Sequence, residues 1–175
     1  MSLTPAQNTT LKNAINGDPT LSAYPYTPEG NTNMCNQQLN LNAAPAFIVW
    51  KTNLTLTQTG EVFNGSEWGA LTTANVSRLQ SVADFFQNGY SAADDDVRAI
   101  FNDIFSVGGV TKANLLVLWK RAALLGEKIL AVGTGTDAVP AKMSYVGNLT
   151  EPDVTGARNS LWLTRLKSIL QILHS

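Results

Sequence analysis

The sequence predicts an all-α protein, a compact helical bundle with long loops and an apolar C-terminal helix. Apolar residues recur at three- and four-residue steps through most of the chain, which is the period of a helix with one buried face. Ser, Thr or Asp precedes most of these stretches and Gly or Asn follows them, as at helix boundaries. A chain of 175 residues with 44% hydrophobic content can bury one well-formed core. We therefore expect a bundle domain over residues 1–158 and an assembly helix over residues 159–175, in the same domain or as a docking arm.

The longest periodic stretch without proline, residues 111–132, is predicted to be the central helix. Thr111 is suited to cap its N-terminus, and Gly133 is suited to a left-handed C-terminal cap. We expect Trp119 to be buried with the rest of the apolar face, which consists of Leu115, Leu118, Ala122, Leu125 and Ile129.

The N-terminal third predicts three short helices. Thr4 and Gln7 have the spacing of a capping box, with proline at the first helical position, so a helix is expected to run to about residue 15. One helical turn is predicted at 19–23, and a further helix at 31–41. Cys35 falls in the last of these and is interpreted as a small buried hydrophobe.

Residues 45–63 are ambiguous between helix and strand. The apolar run at 45–50 fits either a buried strand or a helix opened by Pro45, and we favour the helix. Residues 51–70 are predicted to be a loop with a short helix near 57–63, although Thr55 to Thr57 could also pair as a strand.

Two amphipathic helices precede the central one. Thr72 or Thr73 caps the first, and a start at Ser91 to Asp94 opens the second. With the central helix they form an antiparallel bundle joined by short turns. The expected buried residues are Val76, Leu79, Ala83 and Phe86 in the first helix and Val97, Ile100, Phe101, Ile104 and Phe105 in the second.

The chain after the central helix is predicted to be a loop over 133–146 and then a helix opened by Thr150 to Asp153. The C-terminal stretch from Ser160 to Ser175 is too apolar to remain in water, so we expect it to dock onto another chain. Its predicted assembly interface consists of Trp162, Leu166, Ile169, Leu170 and Leu173.

The inventory of reactive residues does not favour an enzyme. His174 is the only histidine and Cys35 the only cysteine, which argues against nucleophilic triads and zinc sites. Asp94 to Asp96 are interpreted as negative charge at a helix N-terminus, because consecutive helical positions do not converge on one ion. The Gly133 to Thr136 stretch lacks the strand and helix context of a phosphate-binding loop. We predict no catalytic residues, no cofactor and no metal.

Charge and hydropathy narrow the choice of partners. A net charge of −1 and a charged content of only 14% favour a surface partly covered by neighbouring proteins over general attraction to nucleic acid. A local basic patch is conceivable, but solvated faces or salt bridges are the favoured interpretation of its members, which are Lys120, Arg121, Arg158, Arg165 and Lys167. The N-terminus lacks signal-peptide features and no apolar run approaches about 18 residues, so neither export nor membrane contact is expected.

Several stretches together carry a family resemblance that covers roughly residues 2–158. They are SLTPAQNTTLKNAI at the start, APAFIVWKTNL with the later Glu67-Trp68, the VRAIF segment from Val97 to Phe105, LWKRAALLGEKILAVGTGT followed by PAKM, and GNLTEPDV. Together they resemble small virion structural proteins of tailed bacteriophages and prophages.

The resemblance implies a structural role, most specifically a head-tail adaptor (connector) at the neck below the portal. The implied partners are further copies of the chain in a homo-oligomeric ring, the portal, and tail or neck proteins, with contact to packaged DNA as a further option. The implied location is the virion, after assembly in the host cytoplasm. Two alternatives remain open, a tail completion protein and a helical DNA-packaging or DNA-binding phage protein similar to a terminase small subunit, whose DNA affinity would fall steeply with salt.

Overall fold

The computed structural model describes residues 2–26, 32–105 and 109–158. The chain divides into two compact units. Unit 1 is built from Met1–Phe47, Ala123–Val132 and Met143–Ser175, and unit 2 from Ile48–Ala122 and Gly133–Lys142. The predicted boundary at residue 158 lies next to residues outside the described part and stays a prediction.

The described residues contain both helices and strands, so the all-α prediction is wrong. The helices are α1 Pro5–Gly17, α2 Pro19–Ala23, α3 Asn33–Leu39, α4 Leu56–Glu61, α5 Gly65–Gly69, α6 Thr73–Phe85, α7 Asp95–Ile104, α8 Val110–Leu118 and α9 Leu125–Leu130, and residues 151–158 are also helical. The strands are β1 Ile48–Trp50, β2 Lys120–Ala122, β3 Ala131–Val132 and β4 Lys142–Met143. They form two two-stranded sheets, β1 with β2 and β3 with β4. The apolar C-terminal helix predicted for residues 159–175 lies outside the described residues.

Local helix signals in unit 1 are confirmed. Thr4 Oγ1 accepts from Gln7 N at 3.3 Å and Gln7 Oε1 accepts from Thr4 N at 2.9 Å, which is the predicted capping box. The predicted turn is α2, and the predicted third helix is α3, shortened to seven residues. Leu11 and Ile15 of α1 pack into the unit 1 core with Cys35 and Leu39 of α3.

The helical segment 151–158 begins where the sequence predicts. The Thr150 hydroxyl donates to Asp153 Oδ2 at 2.6 Å, and the Thr150 N–H donates to the same oxygen at 3.0 Å. Leu3 N donates to the other oxygen of Asp153 at 3.3 Å. Burial acts to raise the pKa of the Asp153 carboxyl, but these hydrogen bonds outweigh it and the pKa lies below its usual value.

Helix α9 buries an acidic residue that the sequence pattern places on a polar face. Glu127 is 1% exposed, and its two carboxylate oxygens accept from Leu124 N at 3.0 Å and Gly147 N at 2.8 Å. A Cβ at the preceding Gly126 would lie 2.5 Å from Leu149 Cδ1, so a larger residue there would require the Leu149 side chain to move. Glu127 therefore ties α9 to the 147–149 loop within unit 1.

The predicted central helix over 111–132 is wrong, because the chain leaves the helix at Leu118 and pairs as a strand. Trp50 lies opposite Lys120 and Ile48 opposite Ala122 in the antiparallel β1–β2 pair. The predicted helix at 45–50 is wrong for the same reason. Its β-branched and aromatic residues suit a buried strand, and Ala141 pairs with the other side of β1 through Trp50 N to Ala141 O at 3.1 Å. Backbone pairing on both sides of β1 outweighs the helical period of residues 119–122.

The unit 2 core is aromatic. Trp119 is 1% exposed, which confirms its predicted burial, although it caps the end of α8 instead of lying in the middle of a long helix. Most of the residues predicted to be buried in α7 are buried, and Ile100 is the exception at 36% exposure. Around Trp119 the core gathers Trp50, Leu54, Tyr90, Ala92, Val97, Phe101, Ile104, Phe105 and Leu115.

Candidate functional site

Unit 2 contains an apolar groove of about 550 Å³ between α4, α5, α6 and α7. We call it the α6 groove. Its apolar lining includes Leu56, Phe63, Trp68, Val76, Leu79, Val82 and Phe101, and its polar lining is limited to Thr59 and Gln80 apart from backbone.

Helix α4 forms one wall and is held by its own capping box. Thr55 Oγ1 accepts from Gln58 N at 3.2 Å, and Gln58 Oε1 accepts from Thr55 N at 3.0 Å. The hydroxyl of Thr59, which is 1% exposed, donates to Thr55 O at 2.8 Å. These bonds fix α4 from within, so Leu56 faces the groove on a rigid turn.

Helix α5 presents Trp68 at the rim. The Glu67 carboxylate accepts from Val110 N at 2.6 Å and Thr111 N at 2.8 Å, which caps the start of α8 and anchors α5. Hydrogen bonds from Thr111, reinforced by Val110, lower the pKa of the Glu67 carboxyl although burial opposes them. Trp68 stacks on Phe63 with ring centroids 5.5 Å apart and remains 48% exposed. A large aromatic is thus held in place while half of it faces solvent.

Helix α6 forms the opposite wall, and none of its residues is buried. Thr72 Oγ1 accepts from Asn75 N at 3.2 Å, which confirms the predicted N-cap. The stripe predicted to be buried is only half-buried, and three of its four members, Val76, Leu79 and Ala83, line the groove. The amphipathic prediction identified the apolar face of α6, but this face lines the groove and none of its residues is buried.

The floor of the groove is continuous with the unit 2 core. Phe101 is 2% exposed, and its ring lies 5.7 Å from those of Tyr90 and Trp119. The Tyr90 hydroxyl is 2.7 Å from Thr59 Oγ1 and accepts from Trp119 Nε1 at 3.0 Å. Burial raises the pKa of the Tyr90 phenol despite these hydrogen bonds. This network ties the floor to α4 and α8, so the groove is preformed.

The groove is uncharged, but the chain around it is acidic. None of the described lining residues is ionisable. The ionisable residues next to lining residues in the sequence are Glu61, Glu67, Asp84 and Arg78, a net charge of −2. Such a surface is suited to bind apolar side chains inside a negative field.

The residues predicted as the assembly interface, Trp162, Leu166, Ile169, Leu170 and Leu173, lie outside the described residues. Their role therefore stays a prediction. Cys35, in contrast, is fully buried in α3 as predicted, and burial raises the pKa of its thiol even though Arg158 opposes the shift.

The acidic run at the start of α7 stabilises that helix. Asp94 Oδ1 accepts from Asp96 N at 2.9 Å as N-cap, and Asp95 forms ion pairs with Arg98 and, at 2.9 Å, with Lys142. In the part of the chain that the structure describes, no three His, Cys, Asp or Glu side chains are grouped to hold a metal ion.

The basic residues considered for phosphate contact form other interactions wherever they belong to the described part of the chain. Lys120 Nζ pairs with Asp137 at 2.9 Å, and Arg121 donates to Ala122 O at 3.0 Å. Arg158 is buried, donates to Tyr24 O at 2.7 Å and lies 5.2 Å from the Tyr26 ring centroid. Arg165 and Lys167 lie outside the described residues.

The glycine-rich loop does not form a phosphate cradle. It follows strand β3, where the sequence analysis expects a helix, and Gly133 and Gly135 have positive φ of 122° and 66°. Its Thr134 hydroxyl donates to Val139 O at 3.1 Å, and Val139 N donates to Thr136 Oγ1 at 3.0 Å. These hydrogen bonds connect residues 134–136 with Val139 within the loop.

No protein-family model, curated protein or solved structure matches the chain. Across residues 2–26, 32–105 and 109–158, no helix is long and apolar enough to span a membrane.

The α6 groove is the feature that sequence reasoning missed. A signal for it exists, because α6 carries apolar residues at 76, 79, 82 and 83 while the neighbouring segment offers Phe63 and Trp68. The periodicity was interpreted as a buried stripe because an apolar helix face is normally covered by its own domain.

Proposed function

We propose that this chain is a structural virion protein of a tailed bacteriophage, a head-tail adaptor subunit at the neck below the portal. The observation that carries the assembly role is the preformed, uncharged α6 groove with Trp68 at its rim. The phage context comes from the sequence resemblance, and the groove supports the protein-binding part of the proposal.

The groove has the composition of an interface core. Fully buried interface patches are depleted of charged residues and enriched in aromatics, and a few aromatic anchors usually carry most of the binding energy. Phe63 and Trp68 form such a pair, since their rings stack and Trp68 stays half exposed. Covering apolar surface contributes about 25 cal/mol per Å² before ordering costs, so a partner segment gains most by covering this face.

An adaptor needs contacts to copies of itself and to other neck components. A ring is closed by heterologous contacts, in which one surface of a subunit meets a different surface of the next. The α6 groove offers one such surface in unit 2. The proposed partners are therefore further copies of the chain, the portal above and tail or neck proteins below, in the assembled virion.

The DNA-packaging alternative has weaker support. Two of its basic residues are committed elsewhere, because Lys120 pairs with Asp137 and Arg158 is buried against backbone carbonyls. Fluorescence anisotropy with duplex DNA at about 20 mM salt tests it. Binding whose affinity falls steeply toward about 200 mM salt would favour this alternative over the adaptor.

The decisive experiment removes the gene from the phage that encodes this chain. We expect lysates to contain DNA-filled heads and complete tails that remain separate under the electron microscope. Adding purified protein should restore joined particles, and an image of these particles should place it between portal and tail. Normal infectious virions from the deletion strain would refute the proposal, whereas empty heads would favour the DNA-packaging alternative. Density at the tail end would favour tail completion.

A further inference from the structure

We propose that the α6 groove receives residues 159–175 of a neighbouring copy, which joins the copies head to tail. This inference rests on the proposed assembly function and specifies the surface that would carry it. The inference assigns an occupant to a groove whose walls, α4, α5 and α6, all belong to unit 2.

The first argument is complementary apolarity. The groove exposes apolar side chains from four helices and presents no ionisable group among its described lining residues. The C-terminal segment is apolar, with eight Leu, Ile or Trp among 17 residues. Covering the apolar side chains of the groove with those of the segment keeps both from water, which is favourable.

The second argument is charge. The segment carries Arg165 and Lys167 with no Asp or Glu, a net charge of +2 without His174, whereas the ionisable residues next to the groove lining, Glu61, Glu67, Asp84 and Arg78, carry −2. At physiological ionic strength such charges act over roughly 8 Å, which covers the rim of a groove. Opposite charge at the rim orients the segment and speeds its encounter with the groove.

The third argument is chain reach. The segment begins after residue 158, where the described helical stretch ends. Its 17 residues can extend over at most about 56–61 Å, so the segment is long enough to reach a groove on another subunit. Contact between two different surfaces is the heterologous kind that closes rings.

The test measures association of full-length proteins by sedimentation velocity. Leu79→Asp places a charge in the groove, and Leu170→Asp places one in the segment. Each should raise the dissociation constant of the oligomer by about 30-fold or more, the effect of losing an interface anchor. Val117→Asp is the matched control, because Val117 is an apolar residue on α8 that is 77% exposed and does not line the groove. This control should associate like the parent protein.

A peptide experiment identifies the occupant. A labelled peptide of residues 159–175 is added to full-length Leu170→Asp protein, whose own segment is disabled and whose groove is free. We expect saturable binding, at least 30-fold weaker when the protein also carries Leu79→Asp or when the peptide carries Leu170→Asp. Far-UV circular dichroism and melting temperature establish that each variant is folded.

A charge variant of the segment tests the contact without changing any residue of the groove. Arg165→Gln with Lys167→Gln should weaken association about 10-fold at low salt and remove most of its salt dependence. The proposal is overturned if the parent protein is a monomer at all concentrations, if the peptide does not bind, or if both Leu79→Asp and the charge variant associate like the parent. If one of these results is obtained while the deletion strain gives separate heads and tails, this contact is refuted and the adaptor role is not. Normal virions from that strain would refute the adaptor role whatever the peptide does.

Discussion

Helices α6 and α7 belong to the same unit and show the same kind of amphipathic pattern, yet their apolar faces are buried to different extents. Of the ten residues of α7, Val97, Phe101 and Ile104 are buried, whereas none of the 13 residues of α6 is. Each begins with a side-chain cap, Asp94 for α7 and Thr72 for α6. The difference lies in what covers the apolar face. Other parts of unit 2 cover α7, while the apolar face of α6 borders the groove.

The largest expected effect falls on the covered helix. Phe101→Ala should lower the free energy of unfolding by about 3–5 kcal/mol, because it leaves a cavity beside Tyr90 and Trp119. Chemical denaturation of the variant and the parent measures this. A loss below about 1 kcal/mol would mean that α7 is no better covered than α6.

The next effect concerns the hydrogen bonds beneath the groove floor. Tyr90→Phe removes a hydroxyl that contacts Thr59 Oγ1 at 2.7 Å and Trp119 Nε1 at 3.0 Å. The buried indole N–H then lacks this acceptor, so we expect a loss of about 1–3 kcal/mol. The same denaturation curves give the value, and Tyr26→Phe in unit 1, whose ring contact with Arg158 does not use the hydroxyl, is the matched control. Equal stability of Tyr90→Phe and the parent would show that the network does not hold the floor.

A smaller effect is expected on the uncovered helix. Leu79→Ala should change the free energy of unfolding by about 1 kcal/mol or less, because Leu79 is only half-buried and water already reaches the groove. Measurements belong at protein concentrations low enough to keep the chain monomeric, since a bound partner would add stability. A loss comparable to that of Phe101→Ala would show that α6 is part of the core.

The smallest effect is electrostatic and depends on pH. A hydrogen bond from Lys142, opposed by partial burial and assisted by the charges of Arg98 and Lys142, lowers the pKa of the Asp95 carboxyl. A lowered folded-state pKa contributes stability above the ordinary Asp pKa of about 3.9, and this contribution is lost as pH falls through the lower, folded value. Asp95→Asn should therefore lower the melting temperature slightly at pH 7.

The contrast between pH values isolates the ion pairs of Asp95. The difference between Asp95→Asn and the parent should shrink as pH falls below about 4, since the parent carboxylate then becomes protonated as well. The exposed neighbour provides a matched control as Asp96→Asn, which removes a charge from the same helix N-terminus and should give a smaller difference at pH 7 than Asp95→Asn. An Asp95 difference that stays constant from pH 7 to pH 3 would exclude an origin in the carboxylate charge.

The sequence by itself determined the features that depend on neighbouring residues. The capping box at Thr4, the helix start at Thr150, the cap at Thr72 and the apolar faces of α6 and α7 all follow from interactions within about four positions along the chain. Burial of Trp119 and Cys35 was also predictable, because large or soft apolar side chains are rarely left in water. The sequence indicated the apolar face of α6, but it did not indicate that this face lines a groove.

Only the tertiary structure decided how residues 111–132 are used. Their helical period is real, but β1 lies beside residues 120–122, and backbone pairing with a buried strand outweighs local helical preference there. The same applies to Glu127, which is polar in the sequence pattern but is buried, with its carboxylate accepting from Gly147 N, 20 positions along the chain. Partners at such distances along the chain leave no local pattern, so neither the strands nor the open side of α6 could be derived from periodicity.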